Sequence, residues 1–478
     1  MWQATVVPDT PTQLLDRLAA SSTFELCEAR ADGVLKRCNG EALRARVHLY
    51  GRALGSRTSL AGQRVVVLMR SGVDSVALLF AIWEKGAVPI LLRSTHPRTA
   101  MLELANRYQA SYVALDASLA RGLPLHERSD GLALPGGLDI VRINDDRPVP
   151  VARGEHALGI PTSGSTGVPR VVLNSFDRLW LNARMHAASV GVSANDHVLL
   201  SLPLSFSYGF VAGLLGGMAS EARVTLGGVH RGDAGHVTVM MATPASSHEL
   251  LTMPALRPRV LTVGGDVLHK PLALALIERM PSTRLFATYG LTEAGPRVAS
   301  SAVTVDVLEA CGGVPLGEPL DGVSWRLHDV TGVDEVGELE VSSPTLMHGY
   351  MDDAQTTSEV LLDGGRALRT GDLFAMRAGR PVFCGRRKRL IVRGGEKIFP
   401  AMVESRILSL RGVRDAWVTA EAHATYGEVP VAYVVPHAHV DMHFDVDGAA
   451  RQLRAVLPAS HIPVTWSVVD ALPPQARK

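Results

Sequence analysis

Apolar and polar positions along the chain fall into two textures. The run RVVVLMRSG at 64–72 is apolar almost without break and reads as a strand buried on both faces. SVALLFAIWEKGAVPILL at 75–92 then reads as a helix, a glycine stop and a second strand, which together make a βαβ unit. Similar alternation returns at HVLLSLPL with the apolar stretch after it, and at RPRVLTVGG followed by KPLALALIERM, where glycine or proline marks the turns. Repeated βαβ units imply parallel sheets covered by helices. After about residue 310 the pattern changes to short alternating strands such as SWRLHDV and GELEVSS with no long helix between them. Near GRRKRLIVRGG the chain turns basic and glycine-rich, and PAMVESRILSL then offers a helix ahead of an αβ module. The expected class is α/β. A large N-terminal domain, residues 1–384, carries helix-covered, mostly parallel sheets plus a β-rich subdomain, and residues 385–478 form a small α+β domain.

Length supports that division, because 478 residues exceed what one hydrophobic core normally serves. With 46% hydrophobic and 20% charged residues the chain has ordinary globular composition. Its 48 basic and 47 acidic side chains give a net charge of +1, which offers no electrostatic case for a nucleic-acid or anionic-membrane partner. Cys27, Cys38, Cys311 and Cys384 stand singly, in neither a zinc spacing nor a disulfide framework, and the start MWQATVVPDTPTQ lacks a secretory signal. A cytoplasmic protein is expected. Val198 to Ser220 carries no charge and contains a Gly209/Gly213 spacing of the kind that packs membrane helices. Its proline, serines and glycines favour a buried strand followed by a buried helix instead.

Four segments carry candidate chemistry. From Pro161 to Arg170 the chain reads PTSGSTGVPR, where glycines and small hydroxyl residues let backbone N–H groups approach phosphate. The segment lacks the Gly-Lys-Ser/Thr ending of a Walker loop and is no Gly-x-Ser-x-Gly elbow, which weakens kinase-like and serine-hydrolase readings. Taken alone, such a loop is more often only a flexible connection. From Ala287 to Ala294, ATYGLTEA places an aromatic ring, a glycine, a hydroxyl and a carboxylate together, so stacking and Mg²⁺ coordination can share one loop. The alternative is a strand end with Glu293 merely solvated. In LRTGD, Asp372 beyond a glycine turn can accept both ribose hydroxyl protons or simply stabilise the turn. The fourth segment, GRRKRLIVRGGEK from Gly385 to Lys397, is a basic run that by itself is a solvated surface or an anion patch.

Taken in order and spacing, these segments resemble the adenylate-forming superfamily of acyl-CoA synthetases, aryl-acid ligases, nonribosomal peptide synthetase adenylation domains and firefly luciferase. Weaker matches at GAVPILL, PLSFSYGF, the turn from Val263 to Asp266 and GELEVSSPTLMHGY extend the resemblance over nearly the whole chain. It implies a mobile C-terminal domain and two half-reactions: ATP activates a carboxylic acid as an acyl-adenylate, and a thiol then takes the acyl group. It assigns the β- and γ-phosphate loop to Thr162, Ser163, Gly164, Ser165, Thr166 and Gly167, with Arg170 beyond it. Thr288, Tyr289 and Gly290 fall to the nucleotide, with Tyr289 on adenine, as do Gly265 and Asp266. Thr292 contacts the α-phosphate, Glu293 holds Mg²⁺, and Asp372 with Arg386 grips the ribose. Phe206, Ser207 and Gly264 line the acid pocket. Lys388 is the hinge, and Arg393, Gly394 and Gly395 line the thiol path. The family also uses a lysine near its C-terminus to bridge substrate carboxylate and phosphate. Lys478, closing LPPQARK, is the candidate, although it lies one residue closer to the Leu-Pro pair than is usual.

The resemblance narrows the substrate too. Where amino-acid-selecting relatives carry an Asp after an aromatic residue, this chain has Ser207 after Phe206, so an ammonium would lack its partner. A small aromatic or other non-amino acid is expected. No carrier region follows the small domain, so the acceptor is expected to be CoA or a separate carrier protein. Two positions depart from the common pattern: Arg170 replaces a lysine, and Ala287 replaces an asparagine. The unusual terminus keeps a second class open, a nucleotide-binding relative without catalysis.

Overall fold

The computed structural model describes residues 10–29, 35–55, 60–68, 70–93, 98–120, 131–144, 157–162, 169–228, 236–253, 256–328, 332–333, 335–437, 444–473 and 476. Two large sheets form its centre. The first has nine strands in the order Glu318–Pro319, Ala299–Ala302, Arg284–Tyr289, Val260–Gly264, Val239–Ala242, His197–Leu200, Arg223–Leu226, Glu25–Ala29 and Leu35–Asn39. Its interior pairings, from Arg284–Tyr289 across to Glu25–Ala29, are all parallel, and the edges are antiparallel. The predicted runs HVLL and VLTVG are two of these interior strands, buried at every position.

The second sheet has eight strands and is mixed. Arg64–Leu68 pairs in parallel with Val88–Leu91 and Tyr112–Asp116, and Val88–Leu91 with Ala157–Pro161. The outer pairings, including that of Ala157–Pro161 with Val171–Ser175, are antiparallel. The mostly parallel expectation therefore describes the first sheet better than the second. Helices Val73–Glu84, Phe176–Val190 and Tyr208–Leu215 lie between the sheets. One apolar cluster joins all three helices to Val65, Val67 and Leu91 of one sheet and Val198, Leu200 and Val224 of the other. A helix buried all round should be apolar all round, and residues 76–83 of Val73–Glu84 are.

The uncharged stretch from Val198 to Ser220 is a strand followed by a buried helix of π-type winding. Its glycines are there for close packing. A Cβ on Gly213 would lie 2.5 Å from the Leu200 side chain, and one on Gly209 2.7 Å from the Pro203 carbonyl oxygen. Among the described residues, no helix is long and apolar enough to cross a membrane.

Beyond residue 320 the β-rich region is an antiparallel sheet built from Ser324–His328, Val336–Ser342, Leu361–Leu362, Ala367–Arg377 and Arg380–Arg386. Val336–Ser342 does not alternate as expected, because Glu338 and Glu340 are buried as well. Arg387 pairs with Glu338 at 3.2 Å and Arg326 with Glu340 at 2.6 Å, supplying the cations that buried carboxylates require. The small C-terminal domain has its own core. Ile391, Ile398, Val418 and Val434 of its sheet pack against Val403 and Ile407 of helix Pro400–Leu408 and Leu453 of helix Val446–Arg454.

Candidate functional site

The carboxyl ends of parallel strands in the nine-stranded sheet carry three of the predicted segments, which is where open α/β sheets bind ligands. Val260–Gly264 leads into Gly265 and Asp266, and Arg284–Tyr289 into Gly290, Thr292 and Glu293. His197–Leu200 leads into Phe206 and Ser207. Gly264 is paired with Thr288, and a Cβ there would stand 2.4 Å from the Thr288 hydroxyl. Gly265 sits at φ +84°, and the following Asp266 carboxylate accepts the Val267 amide at 2.8 Å. Gly290 has a different reason to be glycine. Its Cβ would fall 1.9 Å from the Pro296 carbonyl oxygen, so only a hydrogen fits where the loop folds back on itself.

Across this loop lies the turn ending in Asp372. The Tyr289 hydroxyl donates to Asp372 Oδ2 at 2.7 Å, and Arg386 Nε lies 3.3 Å from Oδ1. Asp372 and Arg386 are direct partners across neighbouring antiparallel strands, which explains how distant sequence positions share one function. Tyr289 stands edge-on to Phe374, at 5.3 Å between ring centroids. Burial pushes the Asp372 carboxyl above its usual range despite Arg386 and the Tyr289 hydroxyl. Burial likewise raises Glu293, although the Tyr350 hydroxyl donates to its Oε1 at 2.8 Å. Thr292 shares a 3.0 Å hydrogen bond with Ser207, tying the acid-pocket segment to the nucleotide loop. Arg93 covers the Phe206 ring at 3.9 Å.

Glu293 suits a divalent cation. A carboxylate whose pKa burial raises, with one neutral hydroxyl on Oε1, is relieved by positive charge. Among the described residues no group of three or more His, Cys, Asp or Glu could cage a metal. Mg²⁺ as a rule needs only one or two protein carboxylates, with phosphate and water completing its shell.

One end of the predicted phosphate loop, Arg170, is linked to this carboxylate through Tyr350. The Thr162 amide donates to the Arg170 carbonyl at 2.7 Å, closing a neck between two antiparallel strands. Arg170 lies over the Tyr350 ring at 5.6 Å and pairs with Asp353 at 3.1 Å. Tyr350 in turn reaches Glu293. Ser163, Gly164, Ser165, Thr166 and Gly167 lie outside the described residues, as does Lys478.

Lys388 lies in the short turn Arg387–Arg389. Its neighbours are tied to opposite sides: Arg387 to Glu338 of the large domain, and Arg389 to Glu404 of helix Pro400–Leu408 at 2.6 Å. Arg393, Gly394 and Gly395 form the turn of a hairpin, with the two glycines at φ +55° and +89°. Arg393 donates to the Ser460 carbonyl at 2.6 Å and lies over the Tyr426 ring at 5.0 Å.

The sequence reading missed three neighbours of this site. Tyr350 is the last residue of GELEVSSPTLMHGY, a segment noted only as a weak match, Asp353 follows it, and Arg297 lies three residues beyond the Tyr289 loop. Arg297 donates to the Thr288 hydroxyl at 3.1 Å and lies 4.4 Å over the Tyr208 ring. Beside Tyr208, His186 is fully buried, and burial together with Arg297 lowers its pKa to about 3. An unfolded histidine titrates near 6.5, so between about 6.5 and 3 the unfolded chain takes up a proton that the folded one refuses. Stability should therefore fall as pH drops through that window. Urea denaturation at pH 7.5 and pH 5 should show a smaller acid loss in His186→Leu than in the parent. An unchanged acid loss in that variant would assign the effect elsewhere.

Comparison with known proteins completes the picture. A 2-succinylbenzoate--CoA ligase of Bacillus cytotoxicus is 28% identical over 397 residues, covering 79% of this chain and 79% of that protein. The o-succinylbenzoate CoA synthetase of Bacillus subtilis, solved with an acyl-adenylate, superposes with a TM-score of 0.79 at 22% identity, covering 97% of this chain and 95% of that one. ATP-bound MatB from Rhodopseudomonas palustris gives 0.82 at 21% identity, covering 97% and 95%. At these identities the structural likeness establishes the fold. The C-terminal domain model of the same enzymes matches residues 402–477. The AMP-binding enzyme model itself matches residues 30–351, two thirds of the sequence, and on that match the chain belongs to the AMP-binding enzyme family.

Proposed function

We propose that this chain activates a carboxylic acid with ATP, releasing pyrophosphate, and then passes the acyl group to a thiol. The observation that carries the reading is the continuous run of contacts from Arg170 through Tyr350 to Glu293, beside the Tyr289–Asp372–Arg386 cluster, at the carboxyl ends of parallel strands. In this mechanism Tyr289 packs on adenine, and Asp372 with Arg386 holds the ribose. Thr292 orients the α-phosphate, and the loop Thr162 to Gly167, with Arg170 at its neck, folds over the outer phosphates. Thr288, Gly290, Gly265 and Asp266 complete the nucleotide wall. Glu293 is the residue that holds Mg²⁺, which supplies charge neutralisation to the triphosphate. The substrate carboxylate attacks the α-phosphorus in line, so catalysis rests on positioning and on stabilising charge. Lys478 is the cation that bridges carboxylate and phosphate.

Residues 385–478 act as a mobile unit that turns about Lys388 between the half-reactions, presenting Arg393, Gly394 and Gly395 to the thiol arm. The anchoring of Arg387 and Arg389 to opposite domains supports a pivot between them. Lys388→Pro should spare adenylation and impair thioester formation, because proline fixes a backbone dihedral at the pivot. Equal loss in both half-reactions, measured by pyrophosphate exchange and by thioester yield, would remove the hinge role.

Phe206, Ser207 and Gly264 line the acid pocket. Ser207 is engaged with Thr292 and offers no anion to an ammonium group, which favours a small aromatic or other non-amino acid. The acceptor is CoA, as the names of the relatives favour, or a separate carrier protein. Four buried, unbridged cysteines accord with a reducing cytoplasm. ATP–pyrophosphate exchange across a panel of acids tests the proposal. Exchange with one acid is the expected result, and nucleotide binding without exchange for any acid would identify a non-catalytic relative instead.

A further inference from the structure

Behind the acid pocket lies a cluster that the adenylation chemistry leaves unused. Arg297 is 2% exposed. Its Nη1 donates to the Thr288 carbonyl and hydroxyl at 3.2 and 3.1 Å, its face covers the Tyr208 ring, and its Nε has no hydrogen-bond partner. Asn182 fixes the backbone on both sides, accepting the Arg297 amide at 2.9 Å and donating to its carbonyl at 2.8 Å. Nearby, the fully buried His186 has neither ring nitrogen hydrogen-bonded. Among the described residues no carboxylate pairs with Arg297. Burial raises the pKa of the neighbouring Tyr208 and Tyr289 hydroxyls, so they stay neutral and supply no counter-charge.

A buried guanidinium without a counter-ion is costly, and buried charges are as a rule paired, so an unpaired one calls for a partner. Position says what that is. A Cβ on Gly264 would stand 2.9 Å from Arg297 Nη1, so the absence of a side chain at a pocket-lining position leaves room for the guanidinium. Tyr208 adjoins Ser207 in sequence, and Thr288 adjoins Tyr289. On the pocket reading proposed above, in which Gly264 lines the acid site, the guanidinium borders that site.

We infer that the acid activated by this chain carries a second anionic group, of the carboxylate class, which Arg297 and His186 receive while the first carboxyl meets ATP. This rests on the adenylation reading above. Arg297 Nε, and an N–H of neutral His186, are the donors such a group would fill. An ammonium at the same end would meet like charge, consistent with Ser207 standing where an amino-acid pocket needs an acid.

The test pairs diacids with matched monoacids: succinate with butyrate, glutarate with valerate, and phthalate and isophthalate with benzoate. Wild-type exchange should favour the diacid of at least one pair by about a hundredfold or more in kcat/KM, since pockets built to hydrogen-bond a group reject analogues lacking it. Arg297→Met should erase or invert that preference, read as the diacid-to-monoacid ratio of kcat/KM within the variant, and Arg297→Lys should restore part of it. A wild-type preference for the monoacid in every pair would overturn the inference, as would an Arg297→Lys variant that loses both acids of a pair equally. Thermal shift with each acid and AMP gives an arm independent of catalysis. Diacid stabilisation of the wild type that is lost in Arg297→Met supports the inference even if exchange fails. No diacid effect in a protein that exchanges with a monoacid sinks it and leaves the adenylation reading standing.

Discussion

Glu293→Ala is expected to lower acyl-adenylate formation by about a hundredfold or more, on the scale of losing one preorganised electrostatic group at a reacting phosphate. The structure defines the control. Removing the carboxylate also leaves the Tyr350 hydroxyl without its acceptor, which costs about 1–3 kcal/mol of stability if that group stays buried. Tyr350→Phe removes the hydroxyl and keeps the carboxylate, so it should lose under about tenfold in exchange, in line with one neutral hydrogen bond. Raising Mg²⁺ should recover activity in Tyr350→Phe and should not in Glu293→Ala. Equal losses in the two variants, both still folded, would mean that the pair is structural.

Lys478→Ala is expected to cost adenylation about as much, a hundredfold or more, because a cation bridging carboxylate and phosphate acts most strongly as charge develops between them. Its signature is a split between half-reactions. Thioester formation from supplied acyl-adenylate should survive, since the proposed turn of the small domain has by then removed Lys478 from the centre. Unchanged adenylation in Lys478→Ala would transfer the role to another cation, and Arg170, already beside Tyr350, would be the next to replace.

The sheets were legible because burial on both faces leaves a plain mark: HVLL and VLTVG contain no polar side chain facing solvent that would break the run. The glycine-bearing loops were legible because close approach of backbone to ligand restricts residue type, as at Gly290. What stayed hidden depends on pairing between distant segments. Nothing local marks Tyr350 as the partner of Glu293, 57 positions away, or Asp353 as the partner of Arg170, 183 positions away. Glu338 and Glu340 read as the solvent face of an alternating strand, and only the arrival of Arg387 and Arg326 makes their burial tolerable. Arg297 was passed over for a similar reason. A single arginine after a recognised loop looks like surface, and its isolation from the described carboxylates is visible only in the folded chain.

Acyl-adenylate formation makes a bond between a substrate carboxylate oxygen and the α-phosphorus of ATP. Its most direct test uses the preferred acid labelled with ¹⁸O in the carboxyl group, with the AMP isolated after thiol transfer and weighed. The account predicts AMP heavier by one ¹⁸O, because the attacking oxygen stays on phosphorus when the thiol breaks the carbonyl carbon–oxygen bond. Unlabelled AMP, or label recovered in inorganic phosphate alongside ADP, would contradict it.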